Sequence, residues 1–452
     1  MLFHNDTNKT GKRVPTMRIY LGLGSNIGDR CENLRRSIEL LQEKGLKIVR
    51  ISPVVESPAL LPKFAPAAWN LPFLNLAIEC DAVCSPQQLR TWVTEIQNRL
   101  GRTDTSHWSP RPIDIDILLW GRETITTTDL TIPHPQLVER GFVLTPLVAL
   151  RPRLTVPGLG AKTMLEWSGE LPHHIPLWMG IVNVTPDSFS DGGRHADWRS
   201  IEPHVDAMVQ AGVHIVDVGA ESTRPGATPP GPDIEWSRLE PILEHLVDKY
   251  KAPLISPLLS VDTYHPEVAA KALDAGVDII NDVSGLTSPA MIDLARSSDK
   301  QWIAMHQLTL PADRGVTLPA DRDPCEEVES WLLEQIEAWD KANLDLGRII
   351  FDPGIGFGKD ALQSLELLRH ASRFRQHGLR VLIGHSRKSF MKSFSSLEEH
   401  DQDLATIGAS LKLCEQGVDI IRVHNVPAHL SAYRGWSHLI AEADQHSSDE
   451  VR

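Results

Sequence analysis

Between Leu177 and His424 the chain carries eight short apolar segments of strand type. Nearly every one ends in a polar residue able to do chemistry: Asn183, Asp217, Asp262, Asn281, His306, Asp352, Ser386 and His424. Short apolar runs alternating with helix-length stretches predict parallel strands joined by crossover helices. A (β/α)8 (TIM) barrel gathers the carboxyl ends of all its strands on one face, and its chemistry sits there. The strands are expected at 177–184, 214–218, 258–261, 278–281, 302–305, 348–351, 380–383 and 419–423.

A chain of 452 residues is too long for one ordinary core, so a second domain is expected before the barrel. The division reads as an extension over 1–16, a first domain over 17–167, a Pro- and Gly-rich linker over 168–176, the barrel over 177–445 and a polar tail over 446–452. The first domain orders its elements as a strand from Arg18, a helix at 32–43, strands from Lys47 and Leu74, a helix at 86–100, a strand from Pro112 and a helix at 135–143. That order suits an α+β sandwich with a mainly antiparallel sheet.

Charge excludes one class of partner. Residues 17–150 carry 14 basic and 14 acidic side chains, and the remainder from Arg151 carries 28 basic and 44 acidic. A chain this acidic is no nucleic-acid binder, because phosphate neutralisation needs a basic face. Anionic substrates must be held by a few placed cations. No apolar run has the length of a membrane span, and the N-terminal residues lack the apolar core of a secretory signal. Five cysteines without a CxxC pair read as buried free thiols in a reducing cytoplasm. The hexapeptide TLPADR occurs twice between Thr309 and Arg322, which reads as a duplication inside a loop.

The sharpest feature of the first domain is Asp114-Ile115-Asp116 in an apolar strand. Residues two apart share one strand face, so both carboxylates point the same way while Ile113, Ile115 and Ile117 fill the core. Two such charges about 6–7 Å apart repel by roughly 2–3 kcal/mol at an effective dielectric of 20, and a divalent cation between them offsets that. A bare DxD is most often a solvated strand face. Here Trp108 and Arg111 precede the pair, and His134 and Arg140 follow it, with Arg102 upstream. One aromatic platform, several cations and two metal ligands suit phosphoryl transfer from magnesium-ATP. There is no GxxxxGK[ST], so the domain is not of the P-loop type.

GLGSN from Gly22, FLN from Phe73, LGR from Leu100, WSPRPIDIDILLWG and IPHPQLVERGF together resemble 6-hydroxymethyl-7,8-dihydropterin pyrophosphokinase, with its ferredoxin-like fold. The resemblance implies that Asp114 and Asp116 hold two Mg2+ ions. It implies ATP contacts from Arg102, Arg111, Thr131, His134 and Arg140, and pterin contacts from Asn75, Trp108 and Phe142. Gln97 stands where that family usually has Glu, and the 103–107 loop is short, with His107 as its one basic candidate.

In the second domain, MGIVNVTPDSFSDGG from Met179, ESTRPGA from Glu221, SVDT, IND, AMH, DPGIGFGK, GHSRKS and RVH fall in order on successive strand ends. This set is similar to dihydropteroate synthase, with Asn425 where RVHDV is usual. A buried Asp accepting two N–H bonds suits the edge of a pterin ring, and Asp352 is the choice. Asp262, Asn281 and Lys388 add ring contacts, and Met305 and Phe357 apolar walls. Asn183, Thr223, Arg224, Arg422 and His424 are expected to gather pyrophosphate, with Asn183 beside one Mg2+. The loops at 187–193 and 222–226 are expected to close over the site.

The two resemblances imply consecutive reactions. Pyrophosphate passes from ATP to 6-hydroxymethyl-7,8-dihydropterin, and the product then condenses with p-aminobenzoate to 7,8-dihydropteroate. They also imply a homodimer formed through the barrel. A barrel that only binds pterins is the rival from another class, and a first domain kept as a structural remnant is a second. Fusion to a kinase and the retained Asp114, Asp116, His134 and Arg140 speak against both.

Overall fold

The computed structural model describes residues 16–103, 108–184, 198–221, 230–251, 254–313, 315–388, 390–391 and 398–447. The chain divides into two compact units, one running to Leu171 and the other spanning Pro172–Trp436, with the residues from Ser437 grouped with the first.

The first unit runs β1 (Met17–Ser25), α1 (Arg30–Glu43), β2 (Lys47–Ile51), β3 (Val55–Ser57), β4 (Phe73–Ala82), α2 (Pro86–Arg99), β5 (Asp114–Trp120), β6 (Ile125–Thr126), β7 (Thr131–Ile132), α3 (Gly141–Leu150) and α4 (Met164–Gly169). Its main sheet has the order β2-β4-β1-β5, and β3 continues the outer edge of β4. Every pairing is antiparallel. The helices start where side chains cap them: Asp29 accepts from the amide of Glu32 ahead of α1, and Ser85 from that of Gln88 ahead of α2. Leu89, Val93 and Ile96 of α2 are buried, as their helical spacing predicts.

Three expectations for this unit need correction. The single strand from Lys47 is two, parted at Ser52-Pro53; Ser52 Oγ accepts the amide of Ala77 at 2.9 Å, and Pro53 has no N–H to carry a ladder on. The helix expected at 135–143 is α3 at Gly141–Leu150, because Arg140 is extended and Pro135 lies in a turn. Its residues Val143 to Leu150 are all buried, so no polar stripe marked its phase. A helix that was not expected, α4, precedes the expected linker and overlaps it only at Ser168 and Gly169; its signal was a capping box between Thr163 and Glu166.

The second unit is a closed barrel of eight parallel strands. Its elements are β8 (Leu177–Asn183), α5 (Trp198–Ala211), β9 (Ile215–Gly219), α6 (Pro232–Tyr250), β10 (Leu258–Asp262), α7 (Pro266–Asp274), β11 (Ile279–Asp282), α8 (Pro289–Ser297), β12 (Gln301–Met305), α9 (Pro324–Lys341), β13 (Ile349–Asp352), α10 (Ala361–Arg369), β14 (Arg380–Gly384), α11 (Glu399–Glu415), β15 (Ile420–Val423) and α12 (Val426–Ser447). All eight strands fall within one residue of expectation at either end. Side chains alternate along them. Val216 and Val218, Ile280, Phe351, Ile421 and Val423 join the apolar layer under the helices. Their neighbours Asp217, Asn281, Asp352 and Arg422 therefore take the inward register, at the carboxyl end of the barrel.

Two smaller expectations also shift. All five cysteines are free, but Cys31 is exposed while the other four are buried. The second TLPADR copy is built into the fold: Leu318 is buried, its amide donates to Gly358 O at 2.9 Å, and Gln363 Nε2 donates to its carbonyl.

Candidate active sites

In the first unit, Asp114 and Asp116 lie on β5 directly across from Gly24 and Gly22 of β1. Glycine leaves space here that a side chain would narrow. A Cβ on Gly24 would stand 3.0 Å from Asn75 Oδ1, and one on Gly22 would stand 3.3 Å from Leu118. The bare backbone opens a cavity over the carboxylates. It is lined by Asp114, Asp116, Asn75, Trp108 and Phe142, and by Arg102, Arg111, His134 and Arg140. Thr131 is not part of that lining and sits in the β6–β7 hairpin. His107 lies outside the described residues.

The two carboxylates differ. Asp114 is held at both oxygens, by Arg102 Nη1 at 2.5 Å and by Arg111 Nη1 at 3.0 Å. Gln97 Oε1 accepts from the same Arg102 nitrogen at 2.5 Å and from the amide of Ile115 at 2.9 Å, so it ties the cation to the strand. Arg111 is fixed through its backbone, whose amide donates to Asn26 Oδ1 at 2.7 Å. Among the described residues the one ion-pair contact of Asp116 is with His134 Nε2, at 4.0 Å, and the arginines around it act from farther away. Burial, and then the charge on Asp114, push its carboxyl up to about 7. His134 Nδ1 accepts the amide of Gln136 at 3.2 Å, which leaves the proton on Nε2, facing Asp116. Burial and Arg140 lower the pKa of His134, so the ring is neutral. Asp116 is thus short of a cation, which fits a divalent metal.

In the barrel, Arg422 crosses from β15 to two carboxylates. Its Nη2 is 2.6 Å from Asp217 Oδ2 and 2.8 Å from Asp262 Oδ2, and its Nε donates to Asp217 at 2.7 Å. Asn281 Nδ2 donates to the same Asp217 oxygen at 3.2 Å. Burial pushes Asp262 up to about 7, against the pull of Arg422. Asp352 is also raised by burial, and its Oδ1 accepts the amide of Gly354 at 2.7 Å. Lys388 Nζ stands 4.1 Å over the ring of Phe357, and Met305 pairs with Asp352 across β12 and β13. Asn183 and His424 share a second cavity, where His424 Nδ1 lies 3.0 Å from Ser386 Oγ. The expected pyrophosphate group is therefore split: Arg422 turns into the barrel interior, and Asn183 with His424 lines the rim. Thr223, Arg224 and the loops at 187–193 and 222–226 lie outside the described residues.

Sequence reasoning missed several members. Asp217 was visible as a strand-end Asp, but nothing in the sequence tied it to Arg422, 205 residues away. Lys359 is buried, with Nζ 2.6 Å from His306 Nδ1 and 3.0 Å from His306 O. Asn425 donates to Asp403 Oδ2 at 3.0 Å, a bond that Asp at this position could not make.

A sheet domain with paired carboxylates under a cavity lined by arginines and aromatic rings, and a barrel with buried carboxylates at the carboxyl ends of its strands, suit a two-domain enzyme. Family profiles agree: one described as 7,8-dihydro-6-hydroxymethylpterin-pyrophosphokinase matches residues 20–152, and one described as pterin binding enzyme matches 179–424. The folate synthesis bifunctional protein of Chlamydia caviae is 36% identical over 91% of this chain and 96% of its own. The mitochondrial folate synthesis bifunctional protein of Arabidopsis thaliana is 33% identical over 90% of this chain and 80% of its own. Among solved structures, the dihydropteroate synthase of Xanthomonas albilineans with 4-aminobenzoic acid covers 59% of this chain and 93% of its own, at 36% identity and a TM-score of 0.53. The chain belongs to the bifunctional folate synthesis proteins and carries both enzymes, a hydroxymethyldihydropterin pyrophosphokinase and a dihydropteroate synthase.

Proposed function

We propose a division of labour within each unit. In the first, Asp114 and Asp116 hold two Mg2+ ions that accompany ATP, neutralising charge on its phosphates. Arg102 and Arg111 exchange Asp114 for phosphate oxygens, helped by Arg140 and the Nε2–H of His134; Thr131 contacts the nucleotide. Trp108 and Phe142 clasp the pterin ring, and Asn75 bonds its edge. The pterin hydroxymethyl oxygen then attacks the β-phosphorus, the bond to the α-phosphate oxygen breaks, and AMP leaves.

In the barrel, Asp352 accepts from the pterin edge, with Asn281, Asp262 and Lys388 as further ring contacts and Met305 and Phe357 as walls. Arg422 moves from its carboxylate partners to the pyrophosphate, alongside His424, Thr223, Arg224 and Asn183, which also adjoins one Mg2+. The amine of p-aminobenzoate attacks the pterin methylene carbon as its C–O bond to pyrophosphate breaks. Charge develops on the leaving group, so Arg422 stabilises the transition state more than the ground state, and a divalent ion held beside Asn183 would supply further neutralisation there. The catalytic residues in this reading are Asp114, Asp116 and Arg111 in the first unit and Lys388, Arg422 and His424 in the barrel. Substrates are small molecules; two copies associate through the barrel, and the protein works in the cytoplasm. Among the described residues no helix is long and apolar enough to cross a membrane.

The observation that supports this reading is that each unit brings its own carboxylates and cations together, Asp114 with Arg102 and Arg111 in the first and Arg422 with Asp217 and Asp262 in the second. The test supplies Mg-ATP, 6-hydroxymethyl-7,8-dihydropterin and p-aminobenzoate and follows AMP and dihydropteroate together. Asp116→Asn is expected to abolish AMP while preserving dihydropteroate formation from supplied pterin pyrophosphate, and Asp352→Asn to do the reverse. Loss of both activities in either variant would overturn the assignment.

A further inference from the structure

Beside the barrel site, and separate from it, lies a cluster that neither reaction uses. Glu221 follows β9, Glu235 sits in the first turns of α6, and Thr263, Tyr264 and His265 form the turn between β10 and α7. One side-chain ligand atom from each of Glu221, Glu235 and His265 falls within 4.8 Å of the others. His265 Nε2 is 3.2 Å from Glu221 Oε2 and 4.0 Å from Glu235 Oε2. Two ligands on one ion, each about 2.1 Å from it at the tetrahedral angle, stand about 3.4 Å apart. The two measured separations bracket that value, and side-chain shifts of roughly an ångström close the set on a metal.

The arrangement around the three supports ligation more than a plain ion pair. Glu235 is completely buried, and its Oε1 has no hydrogen-bond partner among the described residues. Its other oxygen accepts the hydroxyl of Thr263 at 3.1 Å. A buried carboxylate oxygen without a donor is costly, and a cation is the partner that removes the cost. Glu221 is oriented from behind: the Tyr264 hydroxyl donates to Oε1 and turns Oε2 toward the imidazole. Such outer contacts are what fix the carboxylates of metal sites. His265 itself is held by its backbone, whose amide donates to Thr263 Oγ1 at 3.2 Å.

We propose that Glu221, Glu235 and His265 bind one divalent cation at the carboxyl ends of β9 and β10. Two carboxylates with one imidazole select a borderline ion of the Zn2+, Co2+ or Mn2+ type over Mg2+, which prefers oxygen and water. The ion is positional: it clamps the β10–α7 turn directly behind Asp262, so it steadies a pterin contact without touching substrate.

Co2+ alone, with no nucleotide or pterin, is the probe, added to the full chelator-treated chain and followed by visible d–d absorption. Expected is a band saturating at one ion per chain, retained in Asp116→Asn and in Asn183→Ala, since neither residue belongs to this site. The band is lost in Glu235→Gln and in His265→Lys. The lysine variant places a fixed cation between the carboxylates and folds without metal, so loss there reports ligation and not collapse. A band that survives in His265→Lys, or no band in the unsubstituted chain, overturns the site.

Discussion

Asp217 shows how much one residue does at the centre of the barrel. A single oxygen takes Arg422 and Asn281 together, so one charge orients a pyrophosphate ligand and a pterin ligand. Asp217→Asn keeps the shape and an acceptor oxygen but removes the charge that pairs with Arg422. The expected result is a fall in dihydropteroate synthase kcat/KM of about 10- to 100-fold, equivalent to roughly 1.4–2.8 kcal/mol, carried mostly by KM for the pterin pyrophosphate. Unchanged steady-state kinetics would remove Asp217 from the site. Asp116 gives a pH prediction of definite sign. Its carboxyl is raised from 3.8 to about 7, so below neutrality a proton occupies the oxygen that the metal needs. Mg2+ and Mg-nucleotide affinity should therefore rise with pH, by about tenfold between pH 6 and 8, read by calorimetry with a non-reactive ATP analogue. For the metal-free chain the sign is opposite: the folded state holds this proton more tightly than the unfolded one, so stability falls as pH climbs from about 4 to 7. A flat binding profile would mean that the Asp114–Asp116 pair does not carry the metal.

The elements explain why one half of the fold was more legible than the other. Barrel strands are short apolar runs bounded by polar residues, and their inward register alternates with the helix-facing one, so length and period alone place them. The sheet unit hides its signals: α3 is apolar all round, and α4 is six residues long and marked only by its cap. The kinase site was readable because β5 writes two carboxylates at period two, but the space above them comes from β1, a strand distant in sequence. That contribution can be tested. Gly24→Ala puts a Cβ 3.0 Å from Asn75 Oδ1 and pushes on a side chain bonded to Ser57 at 3.0 Å. Stability should change by under about 1 kcal/mol, since alanine fits a strand at least as well as glycine. Pterin affinity in the kinase site should fall several-fold, measured by ligand fluorescence, with the synthase reaction unaffected. A large drop in melting temperature without loss of pterin binding would show that β1 is packed there and not open.

On the scale of the whole chain, the question is whether joining the two enzymes does more than produce them together. The kinase constellation is drawn entirely from Gly22 to Phe142, and the barrel constellation among the described residues from Asn183 to His424. Among the described residues each constellation draws its side chains from its own unit. A tether raises local concentration only when the linked groups bind each other, and a small freely diffusing product escapes the neighbourhood of its site quickly. Mixing an Asp116→Asn chain with an Asp352→Asn chain separates the two activities onto different molecules without altering either unit. The mixture should make dihydropteroate from hydroxymethyldihydropterin with the same lag and steady rate as native chain at half the total concentration. A markedly longer lag in the mixture would mean that the intermediate is passed within one chain, and the two sites would then have to be treated as one device.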